Sequence, residues 1–551
     1  MLLSFLLRLV GLSRLLERRR AEASIAADRA LLTASVQEDD ARFRGAMEIR
    51  RDEPSITLGH ALDGTAYRLP LGELPGQHVW VSGGTGSGKS TMVAAWVSEL
   101  LGEMVRGAPF SLVFVVMQGF LGDMVLRALG DVLMRSSAAQ VEATLAQLLV
   151  AQFFRGSHLP EWQILARDPS VPIMVQASAV ADVLEASVGA ALGSRQETAL
   201  TMLLGLAIEL GLTLQELRAL SYNSEALVGL ASRSTLPEVR LYILHRLARE
   251  RAQLDGIGAR LDMLLRVPAA RAVLAGPRTL DLRACFRPGA VSVLDFSGEG
   301  MGAEAAKRTI AAVALQYLSY AIFDGSRPRD GATIIITDEI QEALTPATTR
   351  MLARWVTTAR AFGAGLVSIH QSVSQIPRDF LTLLSTNIRL RAVGRSGRED
   401  AAAAAEFLPR TGRVPRSRLP GDPPFARPEF LSRAEEAEFR INQAANLPQR
   451  HMFLTDRLAR FATREIVAPD FNAPDLNSLP PTLRTRLLRG RAGVPRDELL
   501  RRAQELESRA IAAMEASPAP ARGGRRASPV PETPDVVEVA ERWRRQGGRR
   551  S

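Results

Sequence analysis

The sequence predicts an α/β domain built on a mainly parallel sheet and interrupted by a large all-α insertion. Three observations carry that expectation. Strand-length apolar runs alternate with helix-length stretches: HVWVSGG, SLVFVVM (111–117), VSVLDF (291–296), ATIIIT (332–337), GLVSIH (365–370) and IRLRAV (388–393). Such alternation is the pattern of parallel strands joined by helical crossovers. Between the second and third runs, from 121 to 279, apolar residues recur three and four apart, as in LLGLAIELG, LTLQELRAL and SEALVGLASR, which is helical periodicity. Aromatic residues make up only 5% of the chain against 46% hydrophobic residues in all. The core therefore rests on Leu, Ala and Val, a mixture that favours helix over an all-β sandwich.

Taken in order, residues 1–46 read as a helical segment. Its first twenty, MLLSFLLRLVGLSRLLERRR, carry a wide apolar face closed by Arg18, Arg19 and Arg20. That face suits packing against protein or lying on a membrane surface, and the pattern leaves both open. Residues 47–120 form the first part of the α/β core. They open with ITLGHALDGTAYRLP, a hairpin whose turn is Asp63-Gly64. Residues 121–279 form the insertion, with Thr213 as an N-cap before LQELRAL, and offer a surface for a protein partner. Residues 280–475 complete the core. They include a Pro-, Arg- and Gly-rich loop at 408–430 and two edge strands, HMFLTD (451–456) and REIVAP (464–469). Residues 476–515 are C-terminal helices. From 516 to 551 the composition becomes that of a flexible basic tail ending in a short helix.

Composition narrows the function. A single cysteine, Cys285, excludes an intrachain disulfide framework and a cysteine metal cluster. Its setting in LRACF reads as buried. No segment reads as a membrane span: the longest uncharged stretch, 361–377, holds glycines, His370, two glutamines and a proline. A cytoplasmic location is expected, with peripheral contact at the inner membrane through residues 1–20 left open. The net charge of +10, from 69 basic and 59 acidic residues, permits an anionic partner without establishing one. Only Lys89 and Lys307 are lysines; every other basic residue is arginine.

One of those lysines lies in VWVSGGTGSGKST, where Gly83, Gly88, Lys89 and Ser90 fit GxxxxGK[ST]. With this glycine and lysine content, a chance match is expected on the order of 10⁻³ times in the chain. Glycines let backbone N–H groups curl around phosphate oxygens without Cβ clashes, and the following helix presents its positive end to the anion. The loop Gly83, Gly84, Thr85, Gly86, Ser87 and Gly88, continuing into Lys89, Ser90 and Thr91, is thus the expected nucleotide cradle. Lys89 would reach the β and γ phosphates, and Ser90 would hold Mg²⁺.

ATIIITDE ends a buried strand in Asp338-Glu339. An acid in that place organises Mg²⁺, and a glutamate beside it can polarise the attacking water. Gln371 ends the next strand, where an amide can hydrogen-bond the γ-phosphate or the water, while the neighbouring His370 reads as packing or support. Arg360, just before that strand, and Arg395, just after the next, are candidate arginine fingers.

This constellation resembles the HerA–FtsK class of DNA-pumping ATPases, and within it the TraG/TraD-type coupling ATPases of conjugation and type IV secretion. The resembling runs are HVWVSGGTGSGKST, VSVLDFSGEG, IIITDEIQEAL, TTARAFGAGLVSIHQSVSQIP and STNIRLRAVGR, over about 50–120 and 280–400. One run departs: VVMQGF places Gln118 where the family carries a lysine. The resemblance implies a RecA-like P-loop NTPase domain that binds ATP and Mg²⁺. It implies that Lys89 and Ser90 are nucleotide ligands, Asp338 and Glu339 metal and water residues, Gln371 a sensor and Arg360 a finger. It further implies a homo-hexameric ring that translocates DNA by phosphate contacts. The loop 410–422 and Arg395 to Arg398 read as basic contributors to such contacts or as a solvated surface, and the pattern leaves both open. The rival expectation is an ATP-switched assembly scaffold that binds protein partners and moves no DNA.

Overall fold

The computed structural model describes residues 37–74, 76–187, 193–247, 250–274, 276–278, 280–298, 303–323, 331–405, 431–459 and 463–515. The expected apolar face at 1–20, the loop at 410–422 and the tail from 516 lie outside these residues. Two compact units emerge. The first comprises residues 1–160, 281–300 and 310–493, and the second comprises 161–280, 301–309 and 494–551.

The first unit is organised by an eleven-stranded sheet. A helix over 37–49, α1, leads into a hairpin of β1 (Ser55–Ala61) and β2 (Ala66–Pro70). The hairpin turns where expected, with Gly64 at φ 85° and Asp63 Oδ1 accepting the Thr65 N–H at 2.9 Å. Next come β3 (Val79–Ser82), helix α2 (Lys89–Val105), β4 (Phe110–Val116) and β5 (Leu148–Gln152). After the chain returns from the second unit it adds β6 (Val291–Asp295), β7 (Ala332–Asp338), β8 (Ala364–His370), β9 (Leu390–Gly394), β10 (His451–Asp456) and β11 (Arg464–Val467).

The spatial order is β2-β1-β11-β10-β9-β3-β8-β7-β4-β6-β5. The seven strands from β9 to β5 run parallel, and the other four join antiparallel. Every residue of β3, β4, β5, β6, β8 and β9 is buried. Burial on both faces explains why these strands read as continuous apolar runs rather than alternating ones.

Two expectations are corrected. The helical insertion does not begin at 121, because LLVAQ (148–152) is the strand β5 at the sheet margin, and the helical unit starts near 161. A five-residue run buried on both faces has no period that separates it from a helical stretch. β10 and β11 are not edge strands either: they lie between β9 and β1, and the hairpin supplies that margin.

The second unit is helical. It contains helices Ile173–Ser187, Ser194–Leu210, Leu214–Ser221, Ser224–Ala231, Pro237–His245, Arg251–Leu265, Pro268–Leu274 and Arg496–Glu515. Thr213 caps as expected: its hydroxyl accepts the Glu216 N–H, and the Glu216 carboxylate accepts the Thr213 N–H in return. The expected block of C-terminal helices divides, since Pro481–Arg489 belongs to the sheet unit and Arg496–Glu515 to the helical one.

Candidate active site

Four neighbouring parallel strands, β9, β3, β8 and β7, end together, and the candidate residues follow those ends. The register fixes this arrangement. Ser82 pairs with Val393 on one side and His370 on the other, and Asp338 pairs with Ile369. Beyond the strands, the Gly83 N–H donates to His370 O at 3.2 Å, the Gly84 N–H to Arg395 O at 2.6 Å and the Glu339 N–H to Ile369 O at 3.0 Å. Because β8 lies between β3 and β7, Gln371 emerges between the P-loop and the acidic pair.

The P-loop is closely fitted. A Cβ on Gly83 would stand 2.7 Å from Ser87 Oγ, and Gly88 adopts φ 97°, a conformation that favours glycine. Ser87 Oγ is buried without a hydrogen-bond partner among the described residues. Helix α2 begins at Lys89 with no side-chain cap and no acid in its first turn, so its free N–H groups and positive dipole end are open to an anion. Lys89 is itself buried, and among the described residues its ammonium donates only to Gly84 O, at 3.4 Å. Burial pushes that ammonium below its usual range, against the pull of Glu339 and Asp338. A buried cation, an orphaned hydroxyl and an uncapped helix start around a glycine cradle fit a polyphosphate.

Asp338 ends β7 and is buried. Burial first, then the adjacent Glu339, pushes its carboxyl up to about 7, against the opposing pull of Lys89. Glu339 is also buried and raised by burial, an effect countered by hydrogen bonds from the Gln371 backbone and the Gln341 amide. Its backbone is left-handed, at φ 52° and ψ 42°. For a residue with a Cβ that costs on the order of 1 kcal/mol, and such strain clusters at active sites and ligand clamps. The Gln371 side chain donates to Thr85 Oγ1, and its N–H donates to Glu339 Oε2 at 3.0 Å. One residue thus touches both the P-loop and the acidic pair. Ser90, at the start of α2, is half-buried beside Lys89. Among the described residues no group of three or more His, Cys, Asp or Glu could hold a metal alone. Mg²⁺ takes one or two protein ligands and completes its shell from phosphate and water, a number that Ser90 and Asp338 could supply.

The two arginines separate. Arg395 is exposed beside the P-loop, with its carbonyl bonded to Gly84. Arg360 lies before β8, next to Gly76 and His78, at the other end of the strands. At about 3.3 Å per residue, the seven residues of β8 put it about 20 Å from its own P-loop. The expected finger Arg360 therefore lies away from the P-loop of its own chain. It is exposed and forms no ion pair among the described residues.

Sequence reasoning missed Arg450 and Gln341. The Arg450 N–H donates to Ser87 O at 3.0 Å, its side chain lies against Gly88, and its backbone sits at φ 69°. Its guanidinium is held by Asp470 at 2.7 Å and Ala468 O at 2.7 Å. The only signal in the sequence is an arginine before the strand HMFLTD, in a chain rich in arginine. Gln118, the departure from the family pattern, donates to Glu342 at 2.7 Å. Asp295, in the run VSVLDFSGEG, is fully buried and bonded by Arg155 Nε at 2.7 Å, a locked structural pair.

No family model and no curated protein sequence matches the chain. Solved structures do. The unbound monoclinic form of the bacterial conjugative coupling protein TrwBdeltaN70 aligns at a TM-score of 0.50 and 14% identity, covering 78% of this chain and 92% of that one. Its trigonal form, in complex with sulphate, aligns at 0.50 and 15% over the same shares. VirB4 of Thermoanaerobacter pseudethanolicus aligns at 0.49 and 15%, covering 75% of this chain and 96% of its own. The chain has the fold of TrwB, a RecA-like P-loop domain with a helical domain joined to it.

Proposed function

We propose that the chain is an ATP-hydrolysing motor of the type IV secretion coupling kind, working as a ring, expected to be six-membered, that moves DNA by phosphate contacts. The observation that carries the reading is the meeting of Lys89, Asp338, Glu339 and Gln371 at the ends of adjacent strands. Ser90 and Asp338 would hold Mg²⁺, which supplies charge neutralisation at the β and γ phosphate oxygens. Lys89 binds the same oxygens, Glu339 orients and polarises water, and Gln371 couples that water to the P-loop through Thr85. An arginine that cannot reach its own site suits a ring, in which Arg360 would enter the site of the next copy. The fold shared with a conjugative coupling protein supports the direction of the reading. A protein partner would dock on residues 121–279.

For DNA, Arg395, whose side chain makes no bond among the described residues, would contribute, whereas Arg398 is already bonded to Glu438 at 3.0 Å and to Asn442 at 3.1 Å. Among the described residues no helix is long and apolar enough to cross a membrane. The test is ATP turnover with and without duplex or single-stranded DNA. Stimulation by DNA that weakens as salt rises is expected. Turnover indifferent to both forms of DNA would replace the motor with the ATP-switched scaffold.

A further inference from the structure

Around Glu339 buried and half-buried polar groups form a chain whose directions follow from chemistry. An ionised carboxylate only accepts, so the Gln341 amide must turn its Nε2 donor toward Glu339 Oε2, as it does. The Gln341 carbonyl then faces His370 Nδ1 at 2.9 Å and can only accept, so Nδ1 carries the proton. His370 Nε2 is left bare to accept from the Ser368 hydroxyl at 2.6 Å, and Ser368 Oγ accepts from Thr337 at 3.2 Å. Every donor in the row has one acceptor, and the row points at the carboxylate.

His370 is built to stay in that form. It is fully buried and stacked on Trp80, with ring centroids 4.1 Å apart at 22°. Burial, reinforced by Lys89, lowers its pKa to about 3, so the ring is neutral at working pH. The left-handed turn at Glu339 starts the short helix Ile340–Ala343, which carries Gln341 back over the strand end. The Gln341 amide and the Gln371 N–H both bind Oε2. Among the described residues Oε1 makes no hydrogen bond.

Resting on the ATPase reading above, we propose that Gln341 and His370 are positioning residues. Together they hold the Glu339 carboxylate by one oxygen and leave the other aimed for water. They would act through Glu339 and not on the nucleotide itself. Their loss should therefore lower kcat while leaving KM in place, since a misplaced group can cost about 100-fold in rate without weakening binding.

The experiment is steady-state ATP turnover of the full chain, with binding of a non-hydrolysable ATP analogue, for four variants. Gln341→Leu is expected to lower kcat roughly 10- to 100-fold with KM within about threefold. His370→Phe keeps a ring against Trp80 but loses both nitrogens, and is expected to match Gln341→Leu. His370→Asn keeps a donor where Nδ1–H stood, and is expected to stay within about fivefold of the parent. Lys89→Ala is the control for the ATPase reading. Turnover of Gln341→Leu within twofold of the parent, with Lys89→Ala inactive, would overturn the positioning role and leave the ATPase intact. So would a rise in KM equal to the loss in turnover. Undiminished hydrolysis by Lys89→Ala would overturn the ATPase reading itself. Should His370→Phe fail to fold, Gln341→Leu decides alone, because its side chain lies on a half-buried surface turn.

Discussion

Two sets of buried charge, one at each end of the parallel strands, are answered in different ways. At the starting end, before β9, Arg389 is buried and fully matched. Its Nε and Nη2 bond both carboxylate oxygens of Asp456, at 3.0 and 3.1 Å, and Nη2 also bonds Glu73. At the finishing end, Lys89, Asp338 and Glu339 are all buried, yet no ion pair joins the lysine to either acid among the described residues. The first arrangement is what a fold requires of a desolvated charge. The second leaves the ammonium without a carboxylate partner and the helix dipole uncapped among the described residues, with burial moving all three groups toward their neutral forms. Uncompensated charge around a glycine cradle marks a site completed by an outside group.

The sharpest break of this comparison uses an arginine on the starting end. If Arg360 serves the site of another copy, Arg360→Ala should bind ATP nearly normally and lose roughly 10³ or more in turnover. Mixed with Lys89→Ala, it should regain part of that turnover, because an intact P-loop can then face an intact finger. Full activity of Arg360→Ala alone would end the assignment and promote Arg395, which already lies beside the P-loop.

Arg389 sharpens the comparison from the structural side. Arg389→Leu strands Asp456 and should lower unfolding stability by about 3–5 kcal/mol in a urea titration. A loss below about 1 kcal/mol would mean that this pair is not what holds the starting end.

A smaller effect follows from the buried histidines. Burial lowers His370 to about 3 and His78 to about 4, from 6.5 in the unfolded chain. Below pH 6.5 the unfolded state binds protons that the folded state refuses. The stability these rings contribute is complete above pH 6.5 and is lost as pH falls toward their folded values. Between pH 7.5 and 5.5 each should cost about 1.4 kcal/mol. Chemical unfolding of the parent and of His370→Asn at both pH values checks this, the variant losing less.

Much of the site was legible in the sequence because its chemistry is local. GxxxxGK[ST] fixes spacing within one loop, and Asp338-Glu339 and Gln371 each end an apolar run whose terminus is plain. What could not be read depends on strand order. Only the insertion of β8 between β3 and β7 brings Gln371 to Thr85 and Glu339 at once. Only the direction of β8 puts Arg360 at the far end. Arg450 reaches Gly88 through a strand that joins the sheet antiparallel beyond β9, which no spacing foretells. LLVAQ was hidden for another reason: a strand buried on both faces carries no alternation.

The central claim is that the finishing end gives up internal pairing for phosphate. It is tested most directly by measuring ATP turnover and unfolding stability on one preparation of Lys89→Ala. The predicted result is turnover reduced to background with stability equal to or above the parent, since a buried ammonium without a carboxylate partner has been removed. Retention of half the parent turnover would contradict the account.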